Sequence, residues 1–176
     1  YDSLTELLNR RSFYSTLSEI TSGSDEAASG RYFDKDGFAL FYIDLDDFKS
    51  VNDIYGHDTG DKFLVEVAGR IKNALGEHVL MIPDHIGDGG KVKAIFRLGG
   101  DEYTAMVKAG DREKAGKIAQ AIIDAIKEPF FISDHEIMSS CCIGISFYKD
   151  GVTRDGDLLK FADMALYEAK KVNGVY

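Results

Sequence analysis

The spacing of apolar residues along the chain alternates between helical and extended periods. Four segments carry an apolar residue at every third or fourth position, which predicts helices at 4–20, 58–75, 111–126 and 157–172. Within the first of these segments the spacing also fits a turn followed by a shorter helix. Gly76 and Pro129 follow the second and third segments, and both residue types are typical of helix ends.

Continuous apolar runs bounded by turn residues predict the strands. They lie at 38–45, 130–132 and 137–147, and a further short run at 79–82 also fits a strand. We interpret 48–56 as a connector. The stretches 21–30, 83–90 and 150–156 are rich in Gly, Ser and Asp, which indicates loops.

A hairpin is predicted at the centre of the chain. Two apolar runs, 92–96 and 103–107, are joined through Arg97-Leu-Gly-Gly-Asp-Glu-Tyr103. Its two glycines can adopt positive φ and let a second backbone or a phosphate approach closely. The adjacent carboxylates of Asp101 and Glu102 repel each other unless a cation joins them. A solvated tight turn is the simpler interpretation of these residues alone.

A second acidic site follows the strand 38–45. Asp44 and Asp46 are two residues apart and therefore share one face of that strand. If the end of this strand lies beside the hairpin tip, Asp44 and Asp101 converge. Mg²⁺ is commonly held by one or two carboxylates together with substrate phosphates. The strand end and the hairpin tip therefore each offer part of a metal–nucleotide site. Asp46 and Asp47 are more simply interpreted as solvated turn acids.

The predicted order of elements is α-β-α-β-β-α-β-β-α. Helices that interleave with mostly antiparallel strands indicate an α+β fold, with one central sheet covered by helices. The inner β-α-β-β-α-β order resembles the ferredoxin-like plan. We expect residues 1–176 to form a single domain, and the start at Tyr1 without an initiating Met leads us to expect that it comes from a longer protein.

Composition narrows the functional classes. The chain has 176 residues, of which 44% are hydrophobic and 29% charged, as in soluble globular domains with a proper core. Its net charge of −9 argues against a broad nucleic-acid surface, and no apolar run is long enough to span a membrane. We therefore expect neither a nucleic-acid partner nor membrane contact by this domain. The adjacent Cys141 and Cys142 are expected to be buried thiols in a reducing cytosol.

Five motifs in order resemble the GGDEF domain of diguanylate cyclases. They extend from the first residues of the chain nearly to the last, and comprise Asp2–Arg11, Asp44–Asp53, Tyr55–Asp61, Arg97–Tyr103 and Ala162–Lys170. The resemblance implies a palm-type fold similar to nucleotidyl cyclases. It implies that two GTP molecules condense to cyclic di-GMP with loss of two pyrophosphates. It also implies a homodimer of facing domains, an upstream sensory or receiver domain, and a cytoplasmic location, free or as part of a membrane-bound sensor.

The resemblance also implies the metal site. Asp44, the carbonyl of Leu45 and Asp101 match its ligands, and Glu102 matches a residue that holds a second cation. The metal would be Mg²⁺ or Mn²⁺. Asp101, Glu102 and Lys49 would be the catalytic residues. Acids suit this chemistry because charge at phosphorus must be neutralised and the 3′-hydroxyl made nucleophilic.

Matching positions imply the GTP contacts. Phosphates would contact the backbone at Phe48, Gly99 and Gly100. They would also contact the side chains of Lys49 and Lys170, although either lysine could be an ordinary solvated one. Asn52 and Asp61 match the pair that recognises guanine. An alternative for Asp61 is local, because Asp58-Thr-Gly-Asp61 also resembles a helix capping box. Asp2 and Arg11 are interpreted as a structural tie.

The chain departs from the family pattern at several positions. Tyr103 replaces Phe, which requires a partner for its hydroxyl. Ser3 and Glu6 replace Pro and Gly, and Gly174 stands in place of a phosphate-contacting arginine. The segment 78–90 is longer than usual, which predicts an extra loop or hairpin.

Regulation and activity are the remaining open points. The family's inhibitory Arg-x-x-Asp would fall on Gly90 and Lys93, so we expect no product inhibition through that site. A catalytically degenerate domain that binds GTP or a partner is the alternative to an active cyclase. Retention of Asp44, Asp101 and Glu102 favours the enzyme.

Overall fold

The computed structural model of the protein describes residues 1–22, 37–84, 89–148 and 155–172. Its helices are, in chain order, α1 Arg10–Ser22, α2 Phe48–Tyr55, α3 His57–Leu75, α4 Arg112–Lys127 and α5 Asp155–Lys170. Its strands are β1 Leu8–Asn9, β2 Phe38–Leu45, β3 Met81–Pro83, β4 Lys91–Lys93, β5 Ile95–Gly99, β6 Glu102–Val107, β7 Phe130–Ile132, β8 His135–Ile137 and β9 Cys141–Tyr148.

A five-stranded sheet forms the centre of the described fold. Its strand order is β1-β5-β6-β2-β9, and every neighbouring pair is antiparallel except the short β1–β5 pair. Two small hairpins, β3–β4 and β7–β8, form separate two-stranded sheets. The predicted α+β class with a mostly antiparallel, helix-covered sheet is confirmed.

Helices cover both faces of the sheet. Ile43 of β2 pairs in register with Tyr103 of β6, and the hydroxyl of Tyr103 donates to the carbonyl of Leu64 in α3. The preceding residue of β2, Tyr42, packs instead against a cluster of Cys142 with Leu166 and Ala169 of α5. Successive strand residues point to opposite faces, so α3 and α5 lie on opposite sides. This explains why β2 is nearly all apolar and buried.

Helix α5 lies unusually close to β9. A Cβ added at Gly144 would come within 1.9 Å of the carbonyl oxygen of Ala162 and 2.4 Å of the amide nitrogen of Leu166. Only glycine leaves room for the helix backbone at this position. This approach brings the C-terminal end of α5 over the end of β2, where Lys170 is located.

Several predicted elements differ from the structure. The connector predicted at 48–56 is wrong, because Phe48–Tyr55 forms helix α2 with Phe48, Val51 and Tyr55 turned towards the core. The single strand predicted at 137–147 is also wrong: β8 ends at Ile137 and β9 begins at Cys141. These two strands belong to different sheets, and the residues between them make the change of direction.

Helix starts and short strands also shift. Helix α1 begins at Arg10 after a turn, which is the alternative that the spacing left open. The strand expected at 79–82 lies at Met81–Pro83, while Val79 forms an isolated bridge to Val107. An extra hairpin, β3–β4, does occupy part of the long 78–90 segment. Residues 23–30, 85–88 and 150–154 of the predicted loops lie outside the described residues.

Two expectations about buried polar groups hold. Cys141 and Cys142 are both buried, and neither forms a disulfide. The buried hydroxyl of Tyr103 has a partner, since it lies 3.1 Å from the Leu64 carbonyl oxygen. None of the helices in the described ranges combines the length and the apolar composition needed to cross a bilayer.

Candidate active site

The carboxylates of Asp44 and Glu102 meet where β2 and β6 run side by side. The two residues are direct partners in the antiparallel register, so their side chains share one face of the sheet. Asp101 precedes Glu102 at the hairpin tip, and its carbonyl accepts the amide of Leu45 at 3.4 Å. Acids that are distant in the sequence are thus brought together at one end of the sheet.

The hairpin tip depends on the backbone freedom of two glycines. Gly99 has φ 150° and Gly100 has φ 52°, values that residues with a Cβ rarely adopt. The pairing register shifts between Arg97 and Gly99, which marks a bulge. The guanidinium of Arg97 closes the tip by donating two hydrogen bonds, of 2.9 and 2.8 Å, to the Gly100 carbonyl. A bulged, glycine-rich tip leaves space next to Asp101.

Lys170 from α5 forms an ion pair with Asp44. Its ammonium lies 2.8 Å from the Asp44 carboxylate, whose side chain is only 13% exposed. Burial raises the pKa of the Asp44 carboxyl; the Lys170 ammonium opposes this, and the charges of Asp101 and Glu102 add to it. Burial lowers the pKa of Lys170, but the hydrogen bond and charge of Asp44 outweigh it, so the pKa of Lys170 is raised. Asp44 therefore lies in an acidic, partly buried place where a cation is favoured.

The Leu45 carbonyl points towards the hairpin tip. The amide of Asp46 donates to the Ser140 carbonyl at 2.9 Å, on the β9 side of β2. In a planar trans peptide the C=O and N–H point in opposite directions, so the Leu45 carbonyl points to the β6 side, where Asp101 lies. Asp44, Asp101, Glu102 and this carbonyl are therefore located at the same end of the sheet.

Asp46 is not a solvated turn acid, and that prediction is wrong. Its carboxylate accepts hydrogen bonds from the hydroxyl of Ser140 and, at 3.4 Å, from the thiol of Cys142. Together with the backbone bond to Ser140, these contacts fasten the end of β2 to β9. Asp47, by contrast, is exposed as expected.

The turn from β2 into α2 presents helix-start amides beside the acids. Asp47 has left-handed backbone angles, φ 56° and ψ 31°, and α2 begins at Phe48. The first amides of a helix have no partner within it and attract anions. The rings of Phe48 and Phe63 are stacked with their centroids 6.0 Å apart, which anchors the start of α2. The neighbouring Lys49 is exposed.

The side chain of Asn52 in α2 lies against Gly60 of α3, the residue before Asp61. A Cβ on Gly60 would come within 1.9 Å of Asn52 Oδ1, so the Asn52 amide rests on the Gly60 backbone immediately before Asp61. Asp61 is exposed and can meet a ligand. The capping box is wrong as an alternative for Asp61, because α3 begins at His57 and its cap residue is Gly56, which has no side chain.

Asp2 connects the N-terminal segment to the hairpin. One of its carboxylate oxygens accepts from the amide of Thr5 at 2.8 Å, from the Thr5 hydroxyl at 2.7 Å and from Arg97 at 3.0 Å. Burial raises the pKa of Asp2, but the Thr5 and Arg97 hydrogen bonds outweigh it and lower the pKa. Arg11 was expected to form a structural contact together with Asp2. It lines a separate cavity of about 430 Å³ beside Tyr1 and Asp84.

The acids suit a hard divalent cation chemically. Carboxylates and a backbone carbonyl are the oxygen donors that Mg²⁺ and Mn²⁺ prefer. Across the described ranges, no three His, Cys, Asp or Glu side chains are already gathered around a common point. Asp44 is turned to Lys170, and Glu102 accepts a hydrogen bond from Tyr42 at 2.9 Å. These oxygen donors fit a divalent cation, and the ammonium of Lys170 now supplies the positive charge beside Asp44.

Sequence reasoning did not identify four residues that shape this site. They are Tyr42, which contacts Glu102, Ser140 and Cys142, which hold Asp46, and Gly144, which admits α5. Tyr42 precedes Asp44 by two residues, so strand alternation could have placed it on the same face. The other three lie on β9 or just before it, and their proximity to β2 depends on a strand register that local patterns do not encode.

The chain matches one protein family and resembles several known proteins. The family described as diguanylate cyclase, GGDEF domain, matches residues 1–174. MucR of Pseudomonas aeruginosa, a bifunctional diguanylate cyclase/cyclic di-GMP phosphodiesterase, is 37% identical over 174 residues, covering 97% of this chain and 22% of MucR. The diguanylate cyclase TpbB of the same organism is 35% identical over 173 residues, covering 97% of this chain and 35% of TpbB.

A solved structure agrees in fold as well. A truncated form of TpbB (YfiN) from Pseudomonas aeruginosa, comprising only its GGDEF domain, superposes with a TM-score of 0.78 and 34% identity. That match covers 99% of this chain and 91% of the TpbB fragment. The chain spans about a fifth to a third of the length of the curated relatives MucR and TpbB. With the match over nearly its whole length, the chain belongs to the GGDEF family of diguanylate cyclase domains.

Proposed function

We propose that the domain is an active diguanylate cyclase that condenses two GTP molecules to cyclic di-GMP and two pyrophosphates. The observation that supports this most strongly is the registered pair of Asp44 and Glu102 with Asp101 beside it. Acids held at a glycine-rich tip, next to helix-start amides and lysines, suit phosphoryl transfer. Catalysis of this kind relies on positioning and charge neutralisation more than on covalent chemistry.

In the proposed reaction, the 3′-oxygen of each GTP forms a bond to the α-phosphorus of the other. The bond from that phosphorus to the oxygen bridging to the β-phosphate breaks, and pyrophosphate leaves with the bonding electrons. The proton of the 3′-hydroxyl passes to the carboxylate of Asp101 at the tip, which we assign as the general base. Bonds and charges balance after each of the two transfers.

The metal would be Mg²⁺, with Mn²⁺ as a substitute, held by Asp44, Asp101, Glu102 and the Leu45 carbonyl. When bound, the ion neutralises phosphate charge and makes the 3′-hydroxyl more acidic. In this proposal Lys170 leaves Asp44 and turns to phosphate when GTP and the ion bind. The 45% exposure of the Lys170 side chain gives it room for such a change.

The phosphates and the base would lie along α2. The amide at Phe48 and the side chain of Lys49 face the β- and γ-phosphates, and the backbone at Gly99 and Gly100 admits the α-phosphate. Asn52 and Asp61 contact guanine. The arginine that the family uses near the γ-phosphate falls on Gly174, which lies outside the described residues.

The active unit would be a two-fold symmetric homodimer. Each chain carries one GTP site, whereas the reaction joins two nucleotides in opposed orientation, so two copies must face each other. We further propose that residues 1–176 form one output domain of a longer protein controlled by an upstream sensory region. The longer lengths of MucR and TpbB are consistent with this proposal.

A GTP-binding domain without catalysis is the second candidate. It is favoured by the Lys170–Asp44 ion pair, because that ammonium already satisfies the carboxylate that a metal would need. The two candidates predict different chemistry with the same substrate.

The test is incubation of the domain with GTP and Mg²⁺, followed by chromatographic separation of the products. We expect cyclic di-GMP from the wild type and at least about 10²-fold less from Asp101→Asn, as for loss of one charge-stabilising group. GTP binding without product, at every domain concentration, would instead support the non-catalytic candidate.

A further inference from the structure

Tyr42 connects two strands at the acidic end of the sheet. Its hydroxyl lies 2.9 Å from Oε1 of Glu102, to which it donates a hydrogen bond, although the two residues are 60 positions apart. Tyr42 precedes Asp44 by two residues on β2, and Asp44 is the direct partner of Glu102 on β6. The phenol therefore lies on the face that carries the acids, diagonally across from Glu102.

The ring of Tyr42 is held in place from the α5 side. It packs against the cluster formed by Cys142, Leu166 and Ala169, all three of which are buried. In the register of β2 and β9, Tyr42 faces Gly144, the residue that lets α5 approach the sheet. A phenol enclosed in this way has little rotational freedom, so its hydroxyl is a fixed point in the site.

A fixed donor decides how Glu102 presents its carboxylate. Oε1 accepts the hydrogen bond from the Tyr42 hydroxyl, which leaves the lone pairs of Oε2 and the remaining lone pair of Oε1 for other partners. Without that donor the carboxylate can rotate about its side-chain bonds. Partners that orient a metal-binding carboxylate typically change metal affinity by about 10–100-fold when they are removed.

We propose that Tyr42 is a positioning residue that orients Glu102 for the divalent cation, acting through the carboxylate and not on the substrate. The inference rests on the proposed function to the extent that Glu102 is a cation ligand. It assigns a role in metal affinity to the hydroxyl alone, since the ring would remain packed in a phenylalanine variant.

The chain offers a matched control in Tyr103. The hydroxyl of Tyr103, on β6, also donates one hydrogen bond. Its acceptor, however, is the backbone carbonyl of Leu64 in α3, on the opposite face of the sheet. Tyr42→Phe and Tyr103→Phe each delete one oxygen from a packed ring. Only the first deletion touches an acidic side chain of the site.

The experiment compares these two variants, Glu102→Gln and the double variant Tyr42→Phe/Glu102→Gln with the wild type by three measurements. The first is calorimetric titration of Mg²⁺ into the domain with a non-hydrolysable GTP analogue, which needs no turnover. The second is the dependence of activity on Mg²⁺ concentration, and the third is Tm. We expect Tyr42→Phe to weaken Mg²⁺ binding about 10–100-fold and to shift the Mg²⁺ dependence equally, with activity recovering at high Mg²⁺.

Tyr103→Phe should keep the wild-type Mg²⁺ affinity and change only Tm. In the Glu102→Gln background, Tyr42→Phe should have no further effect on Mg²⁺ binding, because both changes act through one group. Wild-type Mg²⁺ affinity in folded Tyr42→Phe, or in Glu102→Gln, would overturn the inference. If the wild type makes no cyclic di-GMP but the calorimetric difference is found, the proposed function fails while the role of Tyr42 stands.

Discussion

The ammonium of Lys170 lies 2.8 Å from the carboxylate of Asp44, so helix α5 supplies the counter-charge to the acid of strand β2. The contact exists because Gly144 allows α5 to lie directly on β9. It places a cation where the proposed metal would bind. The state of this pair therefore connects the packing of α5 with the chemistry of the site.

Asp44→Asn should abolish turnover without weakening the fold. Burial raises the pKa of Asp44, so the ionised carboxylate destabilises the folded state at pH values above that pKa, and the neutral amide removes this effect. We expect at least about 10²-fold lower activity and an unchanged or higher Tm at pH 7. Asp124→Asn, the same change on the exposed face of α4, should alter neither. Near-wild-type turnover in Asp44→Asn would remove Asp44 from the metal site.

Asp61→Ser should narrow the preference for GTP over ATP. A carboxylate accepts both N1–H and N2–H of guanine, whereas adenine presents a lone pair at N1; a polar group left unpaired or repelled costs about 1–3 kcal/mol. A serine hydroxyl can donate as well as accept. The measurement is kcat/KM for both nucleotides, with Asp58→Ser in the first turn of the same helix as the control. An unchanged GTP-to-ATP ratio in Asp61→Ser would exclude Asp61 from base recognition.

Gly144→Ala should push α5 away from the sheet. The new Cβ would meet backbone atoms of α5 that cannot rotate aside, so we expect a loss of stability of about 1–3 kcal/mol or more, as for other overpacked cores. Lys170 should move with the helix, lowering activity as well. Gly69→Ala provides the contrast, because nothing lies within 4 Å of the new Cβ and helix propensity favours alanine by about 1 kcal/mol. Denaturant unfolding of both variants tests this: equal stability of Gly144→Ala and the wild type would contradict the close packing.

Asp2→Asn should lower stability in a pH-dependent way. The Thr5 and Arg97 hydrogen bonds lower the pKa of Asp2 below its unfolded value of about 3.9, so its stabilising contribution is complete above that value. The contribution disappears as the pH falls through the lower folded pKa. We expect the variant to be about 1–2 kcal/mol less stable at pH 7, with the difference shrinking below about pH 4. A difference that stays constant down to pH 2 would mean that the Asp2 charge does not provide the effect.

Long periodic segments allowed most of the fold to be predicted from the sequence. Helices α3, α4 and α5 have apolar residues at strict helical spacing. The continuous apolar run of β2 predicts a strand that is buried on both faces of the sheet. Helix α2 was missed although Phe48, Val51 and Tyr55 have helical spacing, because eight residues are too few to distinguish a helix from a connector. The break between Ile137 and Cys141 was missed because apolar character continues through Met138.

The candidate site was predictable to the extent that it follows local motifs. The motifs predicted Asp44 at the end of a strand and Asp101 at a hairpin tip, but their meeting was only a condition, and it depends on the register of β2 with β6. The contacts of Tyr42 with Glu102 and of Asp46 with Ser140 span 60 and 94 residues and depend on strand register. Register is set by the whole sheet, so neither contact could be derived from a motif.

The measurement that tests the central claim most directly is product formation by a dimerised domain. A parallel coiled coil fused before Tyr1 should hold two copies together, and cyclic di-GMP and pyrophosphate are then quantified from GTP and Mg²⁺ over a range of protein concentrations. We predict one cyclic di-GMP for every two pyrophosphates, a specific activity that rises with concentration in the unfused domain, and a higher, concentration-independent value in the fusion. GTP that is bound but never converted by the fusion, with Mg²⁺ present, would contradict the assignment of the domain as a diguanylate cyclase.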